Sequence, residues 1–214
     1  MASINRVFVF IDFWNFELSC TKFAQQGDDY PNGYRLDWKT IGPNLARYAN
    51  KVVNDNTRTA SYEGANVYLS YGPNDHKLRQ WAETMLSTFP GVSIITHERL
   101  PKTNQKCQQC HKHINVCPHC EARLHGTLEK GVDTKLAVDM IAMAWDDIYD
   151  TAVIVSNDSD FIPAVKLLNA RGKKIIHAGF FHHQGTELQQ TCWSTIALQH
   201  HKDSIRRPDE TPSK

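Results

Sequence analysis

The stretch VIVSNDSDFIPAVKLL, residues 153–168, decides the fold. Aliphatic residues run straight into Asn157-Asp158-Ser159-Asp160, and a helical spacing of apolar residues begins immediately afterwards. This is the pattern of a strand buried on both faces, then a helix, with two carboxylates at the junction. RVFVFIDF, residues 6–13, repeats the theme with a continuous apolar run that ends at Asp12. Working outward, further strands are predicted at 65–73, closed by Gly72-Pro73, within 91–100, at 152–156 and at 174–177. Helices are predicted within 37–55, within 74–89 with Asn74 or Asp75 as N-cap, and from 132 to 148 with Asp133 at or near the N-cap. Two more follow at 161–171, stopped by Gly172, and near 186–192. Strands alternating with helices imply an α/β fold, a mostly parallel sheet covered on both faces in three layers, α/β/α.

The 214 residues are 41% hydrophobic and 22% charged, enough to close a real core as one domain with an insertion. Boundaries are expected at 1–200 for the domain, 101–130 for the insertion and 201–214 for a polar tail carrying Pro208 and Pro212. Lys and Arg number 24 against 23 Asp and Glu, a net charge of +1, which excludes a global basic field and leaves nucleic-acid contact to a local patch. No apolar run has signal-peptide or membrane-spanning character, so a soluble, cytoplasmic chain with no membrane partner is expected.

In parallel sheets ligands bind beyond the carboxyl ends of the strands, near the point where strand order reverses. Asp12, Asp158 and Asp160 should emerge on that edge, and Asp133, opening the preceding helix, can join them. Taken singly, each Asp could simply cap a helix. Together, four converging carboxylates repel one another and suit a hard cation, Mg²⁺ or Mn²⁺.

FIDFWNF with its Asp-x-x-Asn, KGVDTKLAVDM and SNDSDFIPAVKLLNARGKKI together resemble NYN domains, PIN-like proteins of the LabA type, in order over residues 6–176. The resemblance implies a Rossmann-like PIN fold and divalent-metal cleavage of phosphodiester bonds, usually in RNA. By position it maps Asp12, Asp133, Asp158 and Asp160 onto the family's acidic cluster and Asn15 onto its polar companion. Asn157 stands where the family usually has Gly, a departure that a left-handed backbone tolerates in Asn. Phe13-Trp14 replaces a pair that more often contains Gly and offers a surface on which a base could stack.

Hydrolysis of a phosphodiester gathers negative charge on the reacting oxygens, which a divalent cation offsets while acidifying its water. Asp12 and Asp158 are expected as primary ligands, with Asp133 and Asp160 holding a second metal or its waters and Asn15 orienting water or phosphate. Lys130 and Lys135 flank Asp133 and are candidates for the substrate phosphate, against the plainer reading that they are solvated. Asp139, about 120° from Asp133 on a helical wheel, is expected to hydrogen-bond within the site rather than bind metal.

The remaining feature is KCQQCHKHINVCPHC. Cys107, Cys110, Cys117 and Cys120 form two Cys-x2-Cys knuckles, the pattern of a closed tetrahedral Zn²⁺ site with a structural role, with His111, His113 and His119 as lesser substitutes. Zinc would give the 101–130 segment a core of its own, where an unsupported loop of that length would be unusual. Lys102, Lys106, Lys112, Arg123 and Lys130 crowd this insertion, either to keep it soluble or to grip RNA beside the acidic pocket. Cys20 and Cys192 read as buried, inert thiols, and the His182-His183 and His200-His201 pairs as surface residues.

The function expected first is a metal-dependent endoribonuclease acting on single-stranded or structured RNA. The rival is a catalytically weak RNA-binding or assembly module that keeps the fold. A phosphatase or a flap nuclease acting on DNA would use the same metal chemistry, and the residues alone do not separate these substrates.

Overall fold

The computed structural model describes residues 3–26, 29–30, 33–53, 58–84, 86–102, 105–106, 109–114, 116–121, 127–180 and 186–208. In chain order the elements are β1 (Ser3–Asp12), α1 (Phe13–Ala24), α2 (Ile41–Val52), β2 (Arg58–Tyr71), α3 (His76–Thr84) and β3 (Val92–Glu98). The insertion follows with four two-residue strands, β4 (Leu100–Pro101), β5 (Gln105–Lys106), β6 (His113–Ile114) and β7 (Thr127–Leu128). The chain then returns through α4 (Val132–Trp145), β8 (Thr151–Val155), α5 (Ile162–Ala170), β9 (Lys174–Gly179), α6 (Glu187–Thr191), β10 (Ser194–Ala197) and α7 (Lys202–Ile205).

Six strands form one sheet in the order β10-β9-β8-β1-β2-β3, and every pairing is parallel rather than mostly so. β1 lies at the centre, and strand order reverses between it and β8. This arises because α1, α2 and α3 cover one face while α4, α5 and α6 cover the other, as the two separate cores record. Along β1, Val7, Val9 and Ile11 enter the first core and Phe8 and Phe10 the second. A central strand with two buried faces has no solvent side, so its sequence is apolar throughout instead of alternating.

Several elements differ from expectation. Helix α1 begins directly at Phe13, with Phe13, Phe16, Cys20 and Ala24 buried along one stripe, and no pattern break separates it from the strand. β2 starts at Arg58 because its polar half pairs with β1, and β10 adds a sixth strand beside β9. The segment from 201 is no free tail: Ile205 is fully buried, its carbonyl accepts from Asp37 N–H at 2.9 Å, and Arg207 N–H donates to Arg35 O at 2.9 Å. His201 stacks on Tyr48 with ring centroids 3.8 Å apart instead of standing clear of the surface, while His182-His183 lie outside the described residues.

Candidate active site

The reversal point puts the end of β1 beside the end of β8. Ile11 is paired with Val155, so Asp12 and Ser156 leave the sheet together. The Ser156 hydroxyl donates to Asp12 Oδ2 at 2.9 Å and accepts from Asp158 N–H at 3.1 Å. Asp12 Oδ1 accepts from Asn15 N–H at 3.2 Å, capping α1, and Asp158 Oδ1 accepts from Asp160 N–H at 2.9 Å, capping the 3-10 turn Ser159–Phe161. Asn15 Oδ1 in turn accepts from Asn157 N–H at 2.9 Å, and Asn157 Nδ2 donates to Ser19 at 3.2 Å. Asn15 therefore ties one strand end to the other, which is a positioning role. Asn157 has no positive φ, and its side-chain bond to Ser19 replaces the left-handed turn expected of it.

Asp133 sits in the first turn of α4, two residues beyond an N-cap at Gly131. Gly131 has φ 87, a left-handed backbone that favours glycine. α4 packs against the 3-10 turn that carries Asp160. The electrostatics bind these groups into one cluster. Asp12, only 8% exposed, has its pKa raised to about 6, chiefly by burial, with Asp133 and Asp158 adding repulsion against the relief from Ser156 and Asn15. Asp133 is also raised, first by burial and then by Asp158, Glu129 and Asp160. The oxygen-only donor set suits a hard divalent cation. Among the described residues, however, no three His, Cys, Asp or Glu are already gathered around one point.

Three residues that sequence reasoning missed complete the edge. Arg99, just past β3, stacks its guanidinium over Trp14 at 5.1 Å, donates to Ser70 Oγ at 2.8 Å and pairs with Glu129 at 2.8 Å. Trp14 Nε1–H donates to Ser70 O at 2.6 Å, so one face of the expected stacking platform already carries a cation. Arg99 just precedes the insertion and Glu129 lies near its end, so their ion pair ties its two ends together beside Trp14. The available signal was position, since Arg99 follows a predicted strand at its carboxyl end. Lys135, a candidate for the substrate phosphate, pairs here with Asp139, whose other oxygen accepts from buried Tyr68 at 3.0 Å. Asp139 thus serves the hydrogen-bond network beneath α4, and Lys130 is exposed beside the site.

In the insertion, β4 pairs with β7 at its neck and β5 with β6 further out, both antiparallel. Cys107 and Arg123 lie outside the described residues, as does the Lys106 side chain, whereas Lys102 and Lys112 are exposed. The Cys117 thiol is held below its ordinary pKa by the backbone N–H groups of His119 and Cys120 and by the Cys120 thiol. The residues that follow the two knuckles, His111 and Glu121, share a left-handed backbone, φ 56 and φ 54. Cys20 is buried, and Cys192 is half-buried with its thiol pushed up to about 12 by burial.

The NYN domain family model matches residues 6–199. The chain belongs to the NYN domain family. This agrees with the six-stranded parallel sheet and implies a PIN-like, nuclease-like fold of the RNase kind, in a family that usually uses divalent metals. A solved structure of a protein of unknown function, VPA0982 from Vibrio parahaemolyticus, covers 97% of this chain and 99% of its own at a TM-score of 0.56 and 17% identity, a likeness of fold alone. An uncharacterized protein of Methanocaldococcus jannaschii, MJ0482, is 40% identical over 48 residues, 22% of this NYN chain and 20% of that relative. No helix among the described residues is long and apolar enough to cross a membrane.

Proposed function

We propose that this NYN domain is a divalent-metal-dependent endoribonuclease that hydrolyses RNA phosphodiester bonds at the carboxyl edge between β1 and β8. The observation that carries the reading is the strained charge of Asp12, a buried carboxylate lifted to about 6 in the company of Asp133 and Asp158. A structural cap needs no such neighbours. Asp12 and Asp158 would be the primary ligands of Mg²⁺ or Mn²⁺, with Asp133 and Asp160 flanking them. Bound there, the cation would offset charge on the reacting phosphate and supply an acidified water. Ser156 and Asn15 fix the two strand ends so that the carboxylates keep one orientation, and Arg99, paired with Glu129, adds a guanidinium over Trp14 beside them.

Cys107, Cys110, Cys117 and Cys120 would hold a structural Zn²⁺. Support comes from the N–H groups directed at the Cys117 sulfur and from the matched left-handed residues after each knuckle. Lys102, Lys106, Lys112, Arg123 and Lys130 would then present a basic face to the RNA. The rival reading, a weakly catalytic RNA-binding module, is favoured by the lack of a ready three-acid group among the described residues. Labelled single-stranded RNA, duplex RNA and DNA, incubated with and without Mn²⁺, separate the two. Metal-dependent RNA cleavage that falls by at least roughly a hundredfold in Asp158→Asn supports the enzyme. RNA binding with no cleavage by either protein supports the module.

A further inference from the structure

A cavity of about 480 Å³ lies on the α1 side of the sheet, lined by Glu17, by the chain from Tyr34 to Lys39, by Trp81 and by the segment at Arg207. None of the residues assigned to the acidic edge lines it. The geometry points to a nucleobase pocket that accepts guanine from single-stranded RNA, with the Glu17 carboxylate reading the base edge. Three features of the lining have to be satisfied by one ligand.

Trp38 and Trp81 form one aromatic corner of the lining, in edge-to-face contact with each other (ring centroids 6.1 Å apart, inclined at 71°), and both pack on Phe13, at 5.9 and 5.8 Å, so a planar ring would lie against them rather than between them. Such walls take a planar ring. Glu17 lies within the cavity with no hydrogen bond or ion pair to its carboxylate among the described residues, and burial alone raises its pKa. A half-buried carboxylate without partners calls for N–H donors. Arg35 and Lys39 are exposed on the lining with Asp37 between them, and two cations to one acid on this stretch favour an anion there. A nucleotide carries all three, a planar ring, N–H donors and a phosphate, whereas a cationic peptide would meet Arg35 and Lys39. The volume falls within the range of about 300–1,000 Å³ usual for small-molecule sites.

The choice among bases follows from donor geometry. Guanine presents N1–H and N2–H side by side, one for each carboxylate oxygen. Adenine and cytosine set a ring-nitrogen lone pair beside their amino group, and uracil flanks its N–H with two carbonyls, so each turns an acceptor toward the carboxylate. The path to the acidic edge is short in aromatic contacts: Phe13, which touches both walls, meets Trp14 at 5.3 Å, and Trp14 carries Arg99. The expected consequence, cleavage close to a guanine, rests on the nuclease reading; the binding does not.

The test titrates the full chain with guanosine, adenosine, cytidine and uridine 5′-monophosphates and follows tryptophan fluorescence, in wild type and in Asp158→Asn. GMP should bind both proteins and exceed the other three nucleotides by roughly tenfold or more, the discrimination of a paired hydrogen-bond contact. Glu17→Gln, which removes a half-buried charge and should fold, should lose that preference. Lys39→Ala should weaken GMP while leaving guanosine unchanged. Equal binding of all four, no binding, or a preference that survives Glu17→Gln overturns the pocket. Guanine-selective binding by a chain that cuts no RNA upholds the pocket and sinks the nuclease reading; RNA cleavage without GMP binding does the reverse.

Discussion

Asp12→Asn should stabilise the metal-free protein at neutral pH and lose that advantage in acid. Burial, reinforced by Asp133 and Asp158, raises the Asp12 pKa from 3.8 to about 6. Between those values the folded protein holds a proton that the unfolded chain has released, so stability falls as pH rises through the window. Above it the ionised carboxylate costs about 3 kcal/mol, taking about 1.4 kcal/mol for each pKa unit. Asn caps a helix as well as Asp does, so the bond from Asn15 N–H survives. The bond from Ser156 loses its charge assistance, a loss already contained in the raised pKa, which stands after both hydrogen bonds are counted. The net gain is about 3 kcal/mol near pH 7.5, or roughly 6–12 °C in the unfolding midpoint for a chain of this size. Thermal unfolding of both proteins in EDTA, from about pH 4 to about pH 7.5, reads this directly, because other titrating groups cancel in the difference. A difference that does not change with pH, or an Asn variant that is weaker at pH 7.5, would refute the reasoning. Millimolar Mn²⁺ should reverse the order by stabilising the wild type alone.

Fully buried His177, whose pKa is lowered to about 4 by burial, should impose an acid limb. The unfolded chain takes up its proton first, so stability is lost as pH falls from 6.5 towards about 4, by up to about 3 kcal/mol, and unfolding of His177→Gln should lack that limb. Purified protein should contain one zinc per chain by elemental analysis, and Cys117→Ser should lose it while the cooperative unfolding of the sheet persists. Changing Lys106, Lys112 and Arg123 together to Ala should lower the salt dependence of RNA binding by a slope of about 2, and an unchanged slope would return these residues to solvation.

The sheet and its acidic edge were legible because apolar runs ending in carboxylates are local patterns. Helix α1 was hidden because the strand passes into it without a polar break, although Asp12 with Asn15 was the cap that marked its start. The C-terminal closure was hidden because it depends on one apolar residue, Ile205, in a polar stretch, and on backbone pairing with Leu36. Arg99 and Glu129 are 30 residues apart, and only folding of the insertion brings them together. The Glu17 cavity likewise draws its walls from four separated segments, none with a motif of its own.

Capping and metal binding are not alternatives for these aspartates. Asp12 caps α1 through Oδ1 while Oδ2 meets Ser156, and Asp158 caps the following turn through Oδ1. Each cap fixes a carboxylate rotamer, so the caps aim the cluster. They do not neutralise it. A helix N-terminus contributes about 0.3–1 kcal/mol toward holding a negative charge. That falls short of the cost of burying Asp12 beside two other acids, and its pKa stays raised after both hydrogen bonds are counted. The unmet charge is what distinguishes this edge from an ordinary pair of helix caps, and a divalent cation would match it in charge and in preference for oxygen.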